Sequence, residues 1–249
     1  ISDERDVDES FYERIDDNTY IFDGKTGDNS GTFGSSESSL GSSDKLDRNY
    51  ALYPYDEDAT VDSGGSISCS LPAVQEYAEE SFGKGANTMV AVTKSTDDTF
   101  LAFKNACGYL KVKLYGKATI KSIELKGNNG EKIAGETSIT ATYGGVPTVA
   151  MAEDATESIT LDCGEGVKLS TDAEKPTEFW FVVPPVALAS GYSVKVAGFY
   201  GGEQTIDFPA TTFASGAIYN IGAEVTVSTN GPGMGVGGWG DGENVEGEI

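Results

Sequence analysis

The sequence predicts an all-β chain of two antiparallel β-sandwich domains in tandem, with a glycine-rich tail after them. Three observations carry this expectation. Within Lys104–Gly116, Leu110, Val112 and Leu114 alternate with Tyr109, Lys111, Lys113 and Tyr115. That period of two marks a strand with one dry face and one wet face. Short apolar runs recur along the chain with turn residues roughly every ten positions, the pattern of a sandwich rather than of an α/β fold. The chain has 249 residues, long for one domain and comfortable for two.

The elements follow in order. Residues 1–19 are acidic and poor in apolar positions. Thr19–Asp23 reads as a short strand, and 24–48, rich in Gly, Ser and Asp, as a long loop. Asn49–Pro54 is a strand closed by proline, which suits an edge or an end. Ser66–Leu71 is another strand. Pro72–Phe82 is the single helical candidate, with Pro72 in the first turn and Val74, Tyr77 and Ala78 on one face. Thr88–Lys94 and Thr99–Lys104 are expected as a hairpin about Ser95–Asp98, and Gly108–Tyr115 with Ala118–Lys126 as the next pair.

Asn128-Asn129-Gly130 signals a turn with positive φ. Further strands are expected near 138–143, 157–163, 178–183, 193–200, 204–208 and 217–227. Phe179–Val183 is apolar on both faces, so it is expected inside the fold, covered on both sides. The domain break fits best between Lys104 and Cys107, giving domains at 1–105 and 106–228 and a tail at 229–249.

Charge narrows the choice of partner. There are 17 Lys and Arg against 40 Asp and Glu, a formal charge of −23. Nucleic acid is not the expected partner, because its affinity comes from cations on phosphates, and an anionic membrane surface is disfavoured on the same ground. Residues 1–60 hold 16 acids and 5 bases, so that quarter of the chain carries nearly half of the surplus. Cys69, Cys107 and Cys163 are far apart and odd in number. They suggest neither a disulfide framework nor a zinc site, but small buried hydrophobes. No run approaches the ~20 apolar residues of a membrane helix. The acidic opening at Ile1 shows no leader, which is expected of a mature form or of one lacking its leader.

Chemistry is sparse. There is no histidine, which removes Ser-His-Asp and Cys-His arrangements, histidine-ligated zinc and the usual neutral-pH base. Catalysis is therefore not expected. Gly233–Gly238 satisfies G-x-G-x-x-G, but no helix follows to receive a pyrophosphate, so no cofactor is expected. Asp23–Asn29 and Asp56–Asp62 are the best acidic loops for calcium. Position 12 of an EF-hand would fall on Gly34 or Ile67, where glutamate is required, so no metal is expected. Tyr50, Tyr53 and Tyr55 are expected either to pack or to stack on a sugar.

Several blocks resemble the Bacteroides-type fimbrillin family, the subunits and related surface adhesins of type V pili. They are Tyr20–Gly24, Gly31–Phe33, Tyr50–Asp56, Gln75, Phe82, Met89–Ala91, Phe103–Lys111, Ile120–Gly127, Phe181–Pro185 and Tyr219–Gly222. The resemblance spans about residues 20 to 228. It implies two transthyretin-like sandwiches and export to the cell surface, in a fimbrium or at the outer membrane, as a lipidated precursor. It also implies trimming by an arginine-specific protease and assembly by strand exchange with copies of itself or other pilus subunits. On that reading Arg5 and Arg14 are the processing points, although 1–18 carries no clear apolar strand. Val236, Trp239, Val245 and Ile249 are the donor-strand anchors, although their spacing is not a clean alternation. The alternative expectation is a stand-alone, lipid-anchored adhesion module that binds a glycan or host protein through Tyr50, Tyr53, Tyr55 or Trp239.

Overall fold

A computed structural model describes residues 46–227 in full, together with the backbone of three strands before them. Those are β1 (Arg14–Ile15), β2 (Asn18–Asp23) and β3 (Thr32–Ser35), a small antiparallel sheet in the order β1-β2-β3. The chain continues through β4 (Tyr50–Tyr53), β5 (Thr60–Val61), β6 (Ser66–Leu71), β7 (Val74–Ala78), β8 (Ser81–Phe82), β9 (Met89–Val92) and β10 (Lys104–Asn105). Then come β11 (Gly108–Gly116), β12 (Thr119–Gly127), β13 (Gly135–Thr140), β14 (Thr148–Met151), β15 (Ser158–Lys168) and β16 (Thr177–Val183). The last are β17 (Val186–Leu188), β18 (Tyr192–Gly198), β19 (Glu203–Phe208), β20 (Thr211–Phe213) and β21 (Ile218–Val225). Among the described residues there is no helix, so the chain is all-β.

The larger core lies between two sheets. One has the order β16-β11-β21, the other β19-β18-β12-β15-β7-β8. Leu110, Val112, Leu114, Phe179 and Phe181 from the first meet Ile120, Ile123, Leu125, Leu161 and Val194 from the second. Each such side chain contributes roughly 1.5–3 kcal/mol by leaving water. A smaller core joins β4 and β9 to β6 and β13 through Ile67, Leu71, Val90 and Ile139. The two cores share a wall, the antiparallel pair β11–β16. Leu110 and Phe181 face the larger core, whereas Tyr109 and Val182 face the smaller one. Phe179–Val183 is thus covered on both sides, as its two apolar faces foretold.

Several strand partners differ from the sequence reading. β11 and β12 are not paired with each other; β11 bonds to β16 and β21, β12 to β15 and β18. The chain changes sheets at Gly116, whose φ is +148°, and there a Cβ would collide with the Val225 carbonyl oxygen. Asn128–Gly130 does turn, with Gly130 at φ +73°. The chain then leaves the sheet, and β13 pairs antiparallel with β6. The expected 99–104 strand shrinks to Lys104–Asn105, paired with Met89 and Val90.

Pro72–Phe82 is not helical. β7 runs parallel to β15, with Gln75 opposite Leu161, and a short turn leads it into β8. Five residues are too few for helix propensity to outweigh pairing with a sheet and burial of Gln75 and Tyr77.

These layers predict a contrast in stability. Phe181→Ala, at the centre of the shared wall, is expected to cost about 3–5 kcal/mol in urea unfolding. Ile218→Ala, on an exposed position, is expected to stay within about 0.5 kcal/mol.

Candidate functional site

β21 sits at one end of the three-stranded sheet and pairs parallel with β11, from Tyr109 opposite Ile218 to Gly116 opposite Val225. Its sequence alternates. Tyr219, Ile221 and Ala223 turn inward and pack half-buried on the larger core, while Ile218, Asn220, Gly222 and Glu224 are exposed. Among the described residues no strand lies on its other side. The alternation directs the N–H and C=O of Ile218, Asn220 and Gly222 away from β11, toward a side where no strand lies among the described residues.

Across the seam lies β19, the edge of the facing sheet, which turns Ile206 and Phe208 half-buried toward the same core. Tyr192 stacks on Phe208 at 5.3 Å, and Phe213 meets Tyr219 edge-on at 4.8 Å. This side of the sandwich therefore offers two sheet edges flanked by apolar groups that are only partly covered. At its far end the Gln204 side chain bridges the seam. Its Nε2 donates to the Glu224 carbonyl at 3.0 Å, and its Oε1 accepts from the Thr226 N–H at 2.9 Å.

The opposite edge of the same sheet is built differently. Gln75 of β7 is 3% exposed, and its amide forms two hydrogen bonds to Val182 of β16. Nε2 donates to the Val182 carbonyl at 2.8 Å, and the Val182 N–H donates to Oε1 at 2.9 Å. Tyr77 packs on Phe179 at 5.3 Å, and Phe82 stacks on Tyr109 at 5.3 Å, so residues 72–83 wrap this edge. Gln75 entered the sequence reading only within the family resemblance, and Gln204 not at all. Each is one polar residue at an inward position of an alternating run, such as Gln204-Thr-Ile206-Asp-Phe208, and that mismatch was the signal.

The residues singled out from sequence fall in three places. Val236, Trp239, Val245, Ile249 and Arg5 lie outside the described residues. Arg14 opens β1. Tyr50 is 8% exposed and belongs to the smaller core, under Gly65. Tyr53 is half-buried and Tyr55 is 40% exposed. Tyr55 lines an open cleft of about 500 Å³ with Leu52, Pro54, Asp56, Glu57 and Asp58.

The acidic loop 56–62 spends its carboxylates on turns. Asp56 accepts from the Asp58 and Ser70 N–H groups, and Asp62 from those of Gly64 and Ser66. Among the described residues no three metal-ligating side chains gather; most of the 23–29 loop lies outside them. Cys69, Cys107 and Cys163 are buried as free thiols, and burial pushes each up to about 12.

No protein-family model matches the chain, and no curated protein matches it in sequence. Solved structures give a loose overlap. One is a candidate cell adhesion protein from Bacteroides uniformis, 18% identical, with a TM-score of 0.46 over 79% of this chain and 76% of that one. Another is a candidate cell adhesion protein from Bacteroides ovatus, 16% identical, with a TM-score of 0.44 over 83% of this chain and 70% of that one. A third is a fimbrial protein from Bacteroides ovatus, 17% identical, with a TM-score of 0.35 over 85% of this chain and 41% of that one.

Three predictions arise here. Gln75→Ala strands a buried N–H and a buried C=O of Val182, and is expected to lower unfolding stability by about 2–4 kcal/mol. Gln204→Ala, where water replaces the amide, is expected to cost under about 1 kcal/mol in the same urea titration. The thiols are raised above their ordinary value of 9.0. Their contribution is therefore complete below pH 9 and is lost as pH rises toward 12. A thiol-specific disulfide reagent at pH 8 is expected to label none of them in the folded chain and all three in denaturant.

Proposed function

We propose that this chain is a non-catalytic subunit of a surface fimbria, or a related adhesin, which assembles by accepting an extended strand on the free edge of β21. The observation that carries the reading is the edge itself. Ile218, Asn220 and Gly222 present main-chain donors and acceptors away from β11, beside half-buried Tyr219, Ile221, Ile206 and Phe208. In strand addition, main-chain hydrogen bonds supply affinity and alternate side chains fill the flanking pockets. The resemblance of blocks from Tyr20 to Gly222 to fimbrillins supports the same reading. The occupant is the tail of a second copy or of a related subunit. Thr229–Ile249 leaves β21 almost directly and carries Val236, Trp239, Val245 and Ile249 as anchors.

On this proposal the chain is two transthyretin-like sandwiches in tandem, exported as a lipidated precursor and trimmed at Arg5 or Arg14. It acts at the cell surface, with copies of itself or other subunits as partners and no nucleic acid. A second reading rests on the cleft beside Tyr55. There Tyr55 is the stacking platform for a glycan, and the neighbouring carboxylates of Asp56, Glu57 and Asp58 accept from its hydroxyls.

The assembly reading is tested by arginine-specific proteolysis of the full precursor, followed by electrophoresis without boiling. Wild type is expected to give a detergent-resistant ladder. Deletion of Thr229–Ile249 is expected to leave the fold intact and abolish the ladder; an unchanged ladder sinks the tail as donor. Asn220→Pro removes an edge N–H that points away from β11 and has no strand partner among the described residues, so the monomer is expected to fold and the ladder to shorten to monomer. If Asn220→Pro still polymerises, β21 is not the acceptor. Binding on a glycan panel that disappears in Tyr55→Ala would move the assignment to the second reading.

A further inference from the structure

The two glutamines that touch the edges of the three-stranded sheet imitate two kinds of neighbouring strand. Gln75 bonds the N–H and C=O of one residue, Val182, as an antiparallel partner would. Gln204 bonds the C=O of Glu224 and the N–H two residues on, at Thr226, as a parallel partner would. Their surroundings differ as much as their geometry. The Gln75 pair is buried, between elements 107 positions apart in sequence. The Gln204 bonds are exposed, and the Thr226 hydroxyl shares the same oxygen at 3.4 Å. Releasing Gln75 strands main-chain groups in a dry interior. Releasing Gln204 exchanges its bonds for water.

We propose that Gln204 is a releasable latch on the acceptor edge. Resting on the strand-addition reading, this assigns the edge a closed end and an open stretch. An incoming strand pairs first with Ile218, Asn220 and Gly222, and extends past Glu224 only by displacing the Gln204 amide. Gln75 is the permanent counterpart, closing β16 so that addition has a single side. The latch limits how far, and in which register, the added strand runs, because the last two pairing groups of β21 are already taken in the free chain.

The test uses the full chain and a synthetic peptide of residues 229–249 as probe. Amide hydrogen exchange is followed residue by residue alongside a binding titration. In free wild type the Thr226 N–H is expected to be protected, and in Gln204→Ala and Gln204→Leu to exchange freely. Leucine keeps most of the bulk but carries neither the acceptor for the Thr226 N–H nor the donor to the Glu224 carbonyl, so it guards against a merely structural effect of alanine.

With peptide, wild type is expected to gain protection at Ile218, Asn220 and Gly222, and both variants additionally at Thr226. A latch closed about four-fifths of the time, in line with the small stability cost expected of Gln204→Ala, makes the variants bind roughly fivefold tighter. Equal affinity and equal footprint in all three chains would overturn the latch while leaving strand addition standing. If peptide protects no β21 amide in any chain, strand addition fails and the latch with it.

Discussion

The β11–β16 pair is the constraint on which the rest of the molecule is arranged. At Tyr109–Leu110 and Phe181–Val183 both faces of this ladder lie in apolar surroundings, so each side chain there must suit one core or the other. Tyr109 shows how tight this is: its ring stacks on Phe82 while its hydroxyl donates to Asn87 at 3.0 Å. The polar end is satisfied, and the apolar body fills the smaller core. Farther along, the wall emerges into solvent. Lys111 pairs with Glu178 at 2.9 Å and lies over Trp180 at 4.2 Å, covering the ring where the smaller core ends. A wall of this kind cannot slip in register, since a shift of one residue would exchange lysines for leucines on the dry side.

A three-stranded sheet that serves as a partition still has two edges, and unpaired main-chain groups at an edge invite another chain. Residues 72–83 dispose of one edge by wrapping it and inserting an amide where a strand is missing. Gly83 belongs to the same device, because any Cβ there would run into the Glu76 carbonyl oxygen. On the other edge, among the described residues, only the Gln204 amide is bonded to the outward-facing main chain. One side is closed by a buried polar residue and the other by an exposed one, so the two edges differ in what it takes to open them.

Much of the fold was legible because period-two alternation survives in isolation. Leu110, Val112 and Leu114 declared both the strand and its dry face, and Phe179–Val183 declared a covered strand. What alternation does not declare is the partner. Gly108–Tyr115 and Ala118–Lys126 looked like a hairpin because they are adjacent, yet the residues between them carry the chain from one sheet to the other. Pro72–Phe82 showed helical spacing at Val74, Tyr77 and Ala78, whereas in the strand Val74 is exposed and the polar Gln75 is buried, the reverse of what hydrophobicity suggests. Only Leu161, more than eighty positions later, decides between helix and strand. The roles of the edge glutamines were hidden for the same reason. Polar residues at inward positions read as noise until the main-chain groups they serve are seen.

The crossing of β13 into the sheet of β6 gives the chain a particular order of completion. Ile67 and Leu71 lie on a strand made early, but β6 acquires this neighbour only when Gly135–Thr140 arrives, and β7 waits for β15. Contacts of such long sequence separation are slow to close, since loop entropy must be met before they return anything. A growing chain can therefore close β4 on β9 and β5 on β6 within its first half, but leaves β6 and β7 without their second partners until well past its midpoint.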